Sequence, residues 1–348
     1  DAGRIRMHLT AAPGTRIEET ERLVARAGDV IRRVIPEHDR TRILDLVGIP
    51  GAYTMAVTDT TSMTTADAEI MVNLSPDRTG STLDYQRALR TAMNEELPEV
   101  RIHFDAADMM TQIANFGISA AVDVQITSMD RARSLTVARA LREELSHVPG
   151  LVDVRLQQVV GAPRLHIEVD RARLAEAGLT QRDLASSVLL AIGSSGTVSP
   201  NFWTDPNTNN AFPVIVRLPT YRMTSPEDLE SISVEGGQGV RQLSDLATLT
   251  RRVAPTVGSQ VDVQPAYNVR AGVDRSDLGA VTDHIERILD RHRADLPPNV
   301  QIALRGQPES MSNAFRDLGW GLLVAALTVY ALMVLNFRSW LDPAIVLV

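Results

Sequence analysis

Twenty consecutive residues without a charge, Leu318 to Phe337, lie close to the C-terminal end of the 348-residue chain. At about 1.5 Å of rise per residue, a helix of this length spans the roughly 30 Å hydrocarbon core of a bilayer. Arg316 closes one end and Arg338 with Trp340 closes the other, where residues that anchor at lipid headgroups are expected. We therefore predict a transmembrane helix over residues 316–338; a buried core helix is the alternative.

A second apolar run begins soon after this helix. It covers Ala344 to Val348 and follows the turn signal Asp342-Pro343. Residues 342–348 are therefore predicted to start a second span, which favours a multi-pass membrane protein over a single-span binding or signalling protein. The sequence does not begin with Met, so we expect it to be an internal part of a longer chain.

The composition argues against several classes of function. The net charge is −8 at pH 7, from 35 basic and 43 acidic residues without a basic stripe, which argues against a nucleic-acid partner. Because the sequence has no Cys, it offers no disulfide, thiol nucleophile or Cys-ligated metal site. The seven His are scattered, and no His-Glu-x-x-His, Walker or Gly-x-Ser-x-Gly pattern occurs. We therefore expect no enzyme activity and no cofactor.

Residues 1–114 follow the order strand, helix, strand, strand, helix, strand. Apolar residues alternate within the strands and recur every three or four positions in the helices. Thr15 and Glu18 predict a capping box for the first helix, and Leu83 is predicted to face inward from the second. The strands are predicted around Ile5–Leu9, Ile43–Val47, Ile70–Leu74 and Ile102–Phe104, and the helices over Ile17–Val34 and Thr82–Leu97.

The same order begins again at Val122 but is interrupted. A helix capped by Asp130 and a second strand follow at similar spacing, yet the third strand appears only near Tyr267. Residues 162–255 therefore form an insert in the middle hairpin of the second copy. Within it, residues 193–210 are rich in Gly, Ser, Asn, Thr and Pro and predict a long exposed excursion.

The predicted fold class is α+β, with two tandem ferredoxin-like units of order βαββαβ, an inserted α+β module and a transmembrane helix. The first unit covers residues 1–114. The second is discontinuous and covers residues 115–161 and 256–307, with the insert at 162–255. An insert of this size typically contacts other subunits or proteins.

This layout resembles the second extramembrane half of resistance–nodulation–division (RND) efflux permeases, and local motifs support the resemblance over nearly the whole chain. Each motif is short, but their order and spacing match those of the family. The similar segments are Pro13-Gly14-Thr15, Asn115-Phe116-Gly117 with Val122 to Ile126, Val148 to Val154, Ile167 to Arg171, Ala177 to Leu179, Gln242 to Ala247 and Phe337 to Pro343.

The resemblance implies a homotrimeric, proton-driven antiporter of the hydrophobe/amphiphile multidrug type. It implies a multi-pass protein of the bacterial inner membrane, in contact with membrane lipid, with most of this chain in the periplasm. In the terms of this resemblance, the two units are porter subdomains and the insert is a docking domain that faces an outer-membrane channel. A periplasmic adaptor protein is implied as a further partner. The family's proton-coupling acidic pair belongs to a span that this sequence does not contain.

A loop at residues 48–55 lies where RND pumps place the switch loop between two drug pockets. Gly48 and Gly51 are candidate hinges. Ile49, Tyr53 and Met55 offer adaptable apolar contacts to a substrate. An ordinary connector is the alternative.

The resemblance also places Met7 and Phe104 at positions that line the entrance, although either residue could simply belong to the core. Met109 and Met110 suggest soft-metal ligands. Because the switch loop carries little charge, amphipathic small molecules are the expected cargo. Copper or silver export is the alternative, and a translocation or lipid-transport relative of the same superfamily is a further one.

Overall fold

The computed structural model describes residues 3–49, 64–115, 117–219, 223–236, 239–274, 276–297, 299–337 and 340. It divides the chain into two compact units. The larger unit is formed by residues 1–162 and 255–348, and the smaller by residues 163–254. We call residues 3–115 the first half of the larger unit, and residues 117–161 with 255–306 its second half.

The first half is one four-stranded antiparallel sheet with helices on one face. Its strand order is β2-β3-β1-β4, so the first strand lies between the third and the fourth. Met7 of β1 lies opposite Ile70 on one side and Phe104 on the other. The elements are β1 (Arg4–Thr10), α1 (Ile17–Val34), a 3₁₀ turn (Glu37–Asp39), β2 (Arg40–Val47), β3 (Asp67–Leu74), α2 (Thr82–Glu96), β4 (Arg101–Asp105) and α3 (Met109–Ala114).

The alternation in β1 separates an apolar face from a polar one. Ile5, Met7 and Leu9 are buried in the core with the inner faces of α1 and α2. Arg6 and His8 point to the other face and are also buried. Because the side-chain period of a strand is two residues, one strand can serve both a hydrophobic core and a buried charged layer.

Two details of the first half differ from the sequence prediction. The capping box was wrong: α1 begins after Arg16 without a side-chain cap, and the Thr15 hydroxyl donates instead to the carbonyl of Ala12 at 2.7 Å. The inward position of Leu83 was also wrong, since its side chain is 58% exposed. Leu83 is the second residue of α2, where the helix has only begun to cover the sheet.

The second half is a five-stranded antiparallel sheet. Strand β14 pairs with β5 along one edge, and with β13 and β6 along the other; β15 completes the sheet beside β5. The predicted return of residues 267–304 to the sheet of residues 122–156 is thus confirmed. The elements are β5 (Val122–Thr127), α4 (Arg131–Ser146), β6 (Leu151–Leu156), β13 (Ser259–Val261), β14 (Gln264–Val273), α10 (Leu278–Asp295) and β15 (Gln301–Gly306).

The smaller unit has its own core, and three of its described helices, α5, α6 and α8, are capped by short polar side chains. Asp170 caps α5, while Thr180 with Asp183 forms the capping box of α6. Its elements are β7 (Ala162–Val169), α5 (Arg171–Glu176), α6 (Gln181–Gly193), α7 (Ser195–Val198), β8 (Asn201–Thr204), β9 (Ala211–Val214), α8 (Pro226–Glu230), β10 (Ser233–Gly236), β11 (Gly239–Gln242), α9 (Leu243–Leu246) and β12 (Ala247–Ala254).

The predicted excursion at residues 193–210 contains regular structure. After the short α7, strands β8 and β9 pair as an antiparallel hairpin whose residues are all exposed. The rings of Trp203 and Phe212 lie across the hairpin, with centroids 6.0 Å apart. From Ser199 onward the excursion is largely exposed, as predicted, whereas Ser194 is buried. It presents aromatic side chains as well as polar ones.

One helix, α11 (Gln307–Phe337), follows β15 without a connecting loop. Over residues 307–336 it is long and apolar enough to cross a membrane, and its most apolar window is fully exposed. The predicted continuity of the span with the second half is confirmed. The predicted second span at residues 342–348 lies outside the described residues.

Gly306 makes the junction between β15 and α11. Its φ is +89°, a backbone conformation that favours glycine. A Cβ at this position would lie 2.6 Å from the carbonyl oxygen of Ala121, the same oxygen that accepts a hydrogen bond from the Gln307 amide at 2.9 Å. The start of α11 is therefore fixed directly to the sheet of the second half.

Candidate substrate cleft

The polar face of the first sheet carries a buried layer of charge. Arg6 forms a two-pronged ion pair with Glu69 of the adjacent strand. His8 lies 3.3 Å from an Asp67 carboxylate oxygen, and its ring stacks on that of His103 with centroids 4.8 Å apart. Cross-strand pairing along β3, β1 and β4 brings these groups together.

Among the residues that the structure describes, three ion pairs join the first half to the second. The Arg90 guanidinium donates two hydrogen bonds of 2.9 Å to the two carboxylate oxygens of Asp153. The other two bridges are Arg87 with Asp274, at 2.7 Å, and Arg155 with Asp105, at 2.8 Å.

Asp153 is central to this contact and has a backbone conformation that few residues adopt. Its φ is +57°, and one carboxylate oxygen also accepts from the backbone amide of Phe104 at 3.2 Å. The Arg90 guanidinium lies 5.0 Å from the centroid of the Phe104 ring, within reach of a cation–π contact. A single carboxylate from the second half therefore fixes an arginine and a backbone amide of the first.

The ion pairs change the proton affinities of the groups in the interface. Burial acts to lower the pKa of Arg90, but the hydrogen bonds and charge of Asp153 outweigh it and raise that pKa. Burial acts to raise the pKa of Asp105, while His103 and Arg155 hold it well below its usual range. Burial and the charge of Arg155 lower the pKa of His103 to about 4. At neutral pH His103 is therefore an uncharged imidazole beside an ionised carboxylate.

A cleft of about 560 Å³ lies beside these ion pairs, with walls from both halves. Leu83 and Phe104 supply apolar surface, and Gln307, the first residue of α11, also lines it. Two further lining groups, the Asn115 amide nitrogen and the Ser119 hydroxyl, are buried without a hydrogen-bond partner in the described part of the chain. The cleft therefore combines apolar walls, fixed charges and two unsatisfied polar groups, a mixture that suits binding of a small solute.

The structure separates the predicted site residues. Phe104 lines the cleft, whereas Met7, its cross-strand partner, is 1% exposed and offers no surface to a solute in this arrangement. Ile49 is 68% exposed at the end of β2, and Gly48 has a φ of +75°. The positive φ of Gly48 is typical of a turn that requires glycine. The hinge role of Gly48 and the substrate contacts of Ile49 stay predictions.

Other predicted positions cannot be compared with the structure. Gly51, Tyr53 and Met55 lie outside the described residues. Met110 is 77% exposed on α3, and the side chain of Met109 is not described. Among the described residues, no group of three or more His, Asp or Glu side chains is arranged to hold a metal ion.

The sequence prediction missed the residues of the three ion pairs. A signal exists only for Asp105, Asp153 and Arg155, which occupy polar positions in strands whose apolar positions define the core. His103 and Asp105 alternate with Ile102 and Phe104 in β4, and Asp153 and Arg155 do the same in β6. A charged face on a strand is equally typical of a surface exposed to water, so this pattern does not show that the two faces meet or which residues pair.

Comparison with known proteins decides the family. The model of the AcrB/AcrD/AcrF family matches residues 1–348. The chain belongs to this family of RND permeases. The predicted family is thereby confirmed over the full length, and with it the mixed α/β porter region that precedes an apolar helix.

Individual relatives and solved structures agree with this assignment. The chain is 28% identical to Protein HelA of Legionella pneumophila over 236 residues, which cover 66% of the chain and 22% of HelA. It is 25% identical, with the same coverage, to the cobalt-zinc-cadmium resistance protein CzcA of Cupriavidus metallidurans. Two crystal forms of a heavy metal efflux pump share its fold, with TM-scores of 0.75 and 0.76 at 22% and 21% identity.

The chain is much shorter than these proteins. It spans about a fifth of the length of the curated relatives and about a third of the solved chains, while those structures cover 98% and 94% of it. The fold likeness thus extends over almost the whole chain.

Proposed function

We propose that this chain is the second extramembrane region, with one span, of an RND efflux permease that takes up cargo through the cleft between its two halves. The observation that carries this proposal is the cleft itself. It is bridged by three ion pairs, lined by both halves and bordered by the first residue of α11.

The strand orders support porter subdomains of the ferredoxin-like type. In the first half, the order β2-β3-β1-β4 with α1 and α2 on one face is the antiparallel arrangement expected of a βαββαβ unit. In the second half, β5, β6, β14 and β15 with α4 and α10 repeat that order along the chain, and the smaller unit interrupts it. On this proposal, residues 162–255 are the docking domain.

The cleft is connected to the membrane helix by the β15–α11 junction. Gln307 both lines the cleft and begins α11, and its amide is bonded to Ala121 of the second half. A displacement of α11 therefore moves one wall of the cleft. We propose that proton-driven movement of the membrane domain opens and closes the cleft in this way. When the cleft opens, the three ion pairs separate and water hydrates their charged groups.

For the cargo, we propose a transition-metal cation, with amphipathic organic molecules as the second candidate. HelA aside, the relatives named above are described by metal resistance or heavy metal efflux. The exposed Leu83 and the Phe104 ring in the cleft support the organic alternative.

The partners and the cellular location follow from the family and are proposed here. The permease would form a homotrimer in the bacterial inner membrane, with both units in the periplasm and the C-terminal end of α11 facing the cytoplasm. The exposed β8–β9 hairpin, which presents Phe202, Trp203 and Phe212, would contact another protomer, the adaptor protein or the outer-membrane channel.

The proposal is tested with the full-length protein in a host that lacks its own efflux systems. Growth is measured against zinc, cobalt, cadmium, copper and silver, and against dyes, detergents and bile salts. Tolerance to divalent metals alone supports metal cargo, while tolerance to the organic compounds alone supports the second candidate. If a protein present at normal levels in the membrane changes tolerance to none of them, the efflux proposal is wrong.

A further inference from the structure

A second cavity, of about 500 Å³, lies in the larger unit and shares Asp153 with the lining of the proposed cargo cleft. The first half contributes the ends of β1, β3 and β4 to its walls. The second half contributes α4, β6 and the segment 157–161. A molecule bound here would touch both halves.

The walls of this cavity have an excess of positive charge. Four arginines from three elements line it: Arg101, Arg139, Arg142 and Arg155. Arg101 is on β4 of the first half, Arg139 and Arg142 are on α4, and Arg155 is on β6.

In the described part of the chain, only two carboxylates line the same cavity, and both are already satisfied. Asp153 takes two hydrogen bonds from Arg90. Asp67 accepts from the Thr64 hydroxyl at 2.7 Å and lies beside His8. Neither carboxylate is free to neutralise the arginines of the cavity.

Several arginine donors have no partner in this arrangement. Among the described residues, Arg101 and Arg139 form no ion pair, and the only acid near Arg142 is its chain neighbour Glu143 at 3.5 Å. The Nε of Arg155 is buried without a hydrogen-bond partner, although the same guanidinium donates to Asp105. An unmatched buried guanidinium N–H is costly unless an acceptor reaches it.

We propose that this cavity binds a small free oxyanion of charge −2, of the phosphate type. Arginine forks match the oxygen geometry of such anions and form charge-assisted hydrogen bonds with them. Because Arg101 belongs to the first half and Arg139 to the second, the anion bridges the halves. It stabilises the arrangement in which the three ion pairs are formed, and this binding does not depend on which cargo is exported.

The test is calorimetric titration of inorganic phosphate into the purified full-length protein, in detergent without anionic lipid. Arg101→Gln and Arg139→Gln each remove one donor from opposite walls. Both side chains are exposed, so the variants keep the core intact. Each is expected to weaken the affinity for phosphate about tenfold, since a hydrogen bond to a charged group contributes on the order of 1.5–3 kcal/mol.

Arg131→Gln is the matched control, because Arg131 is an exposed arginine of α4 that does not line the cavity. It should bind phosphate with the affinity of the unmodified protein. The proposal is overturned if the three variants behave alike, if chloride at equal ionic strength abolishes the binding, or if stabilisation appears only with anionic lipid. If the protein exports cargo normally but binds no phosphate, this inference is wrong and the proposed function still stands.

Discussion

At the scale of single residues, the contact between the halves rests on charges that are buried on both sides. Asp153 is 6% exposed and its partner Arg90 is 20% exposed. Buried ion pairs contribute little net stability when intact, but removing one partner leaves the other charge uncompensated. Substitution of one carboxylate is therefore expected to destabilise the protein by more than the intact ion pair stabilises it.

Asp153→Asn is expected to lower the free energy of unfolding by about 2–4 kcal/mol, because it leaves Arg90 unpaired in the interface. Asparagine tolerates the positive φ of this position, so the change isolates the charge. Thermal unfolding of the purified protein measures this loss of stability. Asp29→Asn removes an exposed pair with Arg32 and should change stability by less than about 0.5 kcal/mol. Equal effects of the two variants would contradict the account.

His103 predicts a dependence of stability on pH. Its pKa is about 4 in the folded protein and 6.5 when unperturbed, so the unfolded chain binds a proton first as pH falls. The folded state therefore loses stability below pH 6.5, by about 2 kcal/mol at pH 5. His103→Gln removes this contribution, and its thermal midpoint should fall less between pH 7 and pH 5 than that of the unmodified protein. Parallel pH profiles would show that His103 does not titrate in this way.

At the scale of elements, the connection between the sheet of the second half and α11 depends on Gly306. Gly306→Ala should displace the start of α11, because its positive φ and the contact with the Ala121 carbonyl both exclude a Cβ. We expect a loss of stability of about 1–3 kcal/mol and impaired efflux. Gly319→Ala, within α11 and with no described atom near its Cβ position, is the control. Wild-type efflux and stability in Gly306→Ala would show that the junction is not rigid.

The elements themselves could be predicted from the sequence because their signals are local. The alternation of Ile5, Met7 and Leu9 with polar residues predicts a strand, and Asp130 predicts the start of a helix. Both predictions depend on neighbouring residues alone. Leu83 shows the limit: an apolar residue at a helical position faces inward only where another element covers it.

The candidate site could not be predicted in the same way. Its ion pairs join residues 187, 63 and 50 positions apart. Arg87, Arg90 and Asp274 have ordinary surface-like sequence contexts, and only the packing of the two halves brings them together. Met7 was assigned to the entrance from the resemblance, but its strand turns that side chain toward the helices.

At the scale of the whole molecule, the smaller unit has an exposed aromatic hairpin, which we propose contacts a partner. Trp203→Ser with Phe212→Ser should leave the protein folded, since both side chains are exposed, but should weaken trimer assembly or efflux. Native gels and the growth assay measure the two effects. Val253→Ser, another exposed apolar residue of the same unit, is the control. Intact assembly and full efflux in the double variant would exclude the hairpin as a contact surface.

On the function proposed here, the cleft between the two halves must open during transport. Cysteines placed at Arg90 and Asp153, in a chain segment without other Cys, can be joined by a short bifunctional thiol reagent that a reductant cleaves. Cysteines at Arg26 and Glu99, which pair within the first half, form the matched control. We predict that linking Arg90→Cys to Asp153→Cys stops efflux and that reduction restores it, while the linked control pair exports normally. Unchanged efflux with the first pair fully linked would contradict the account.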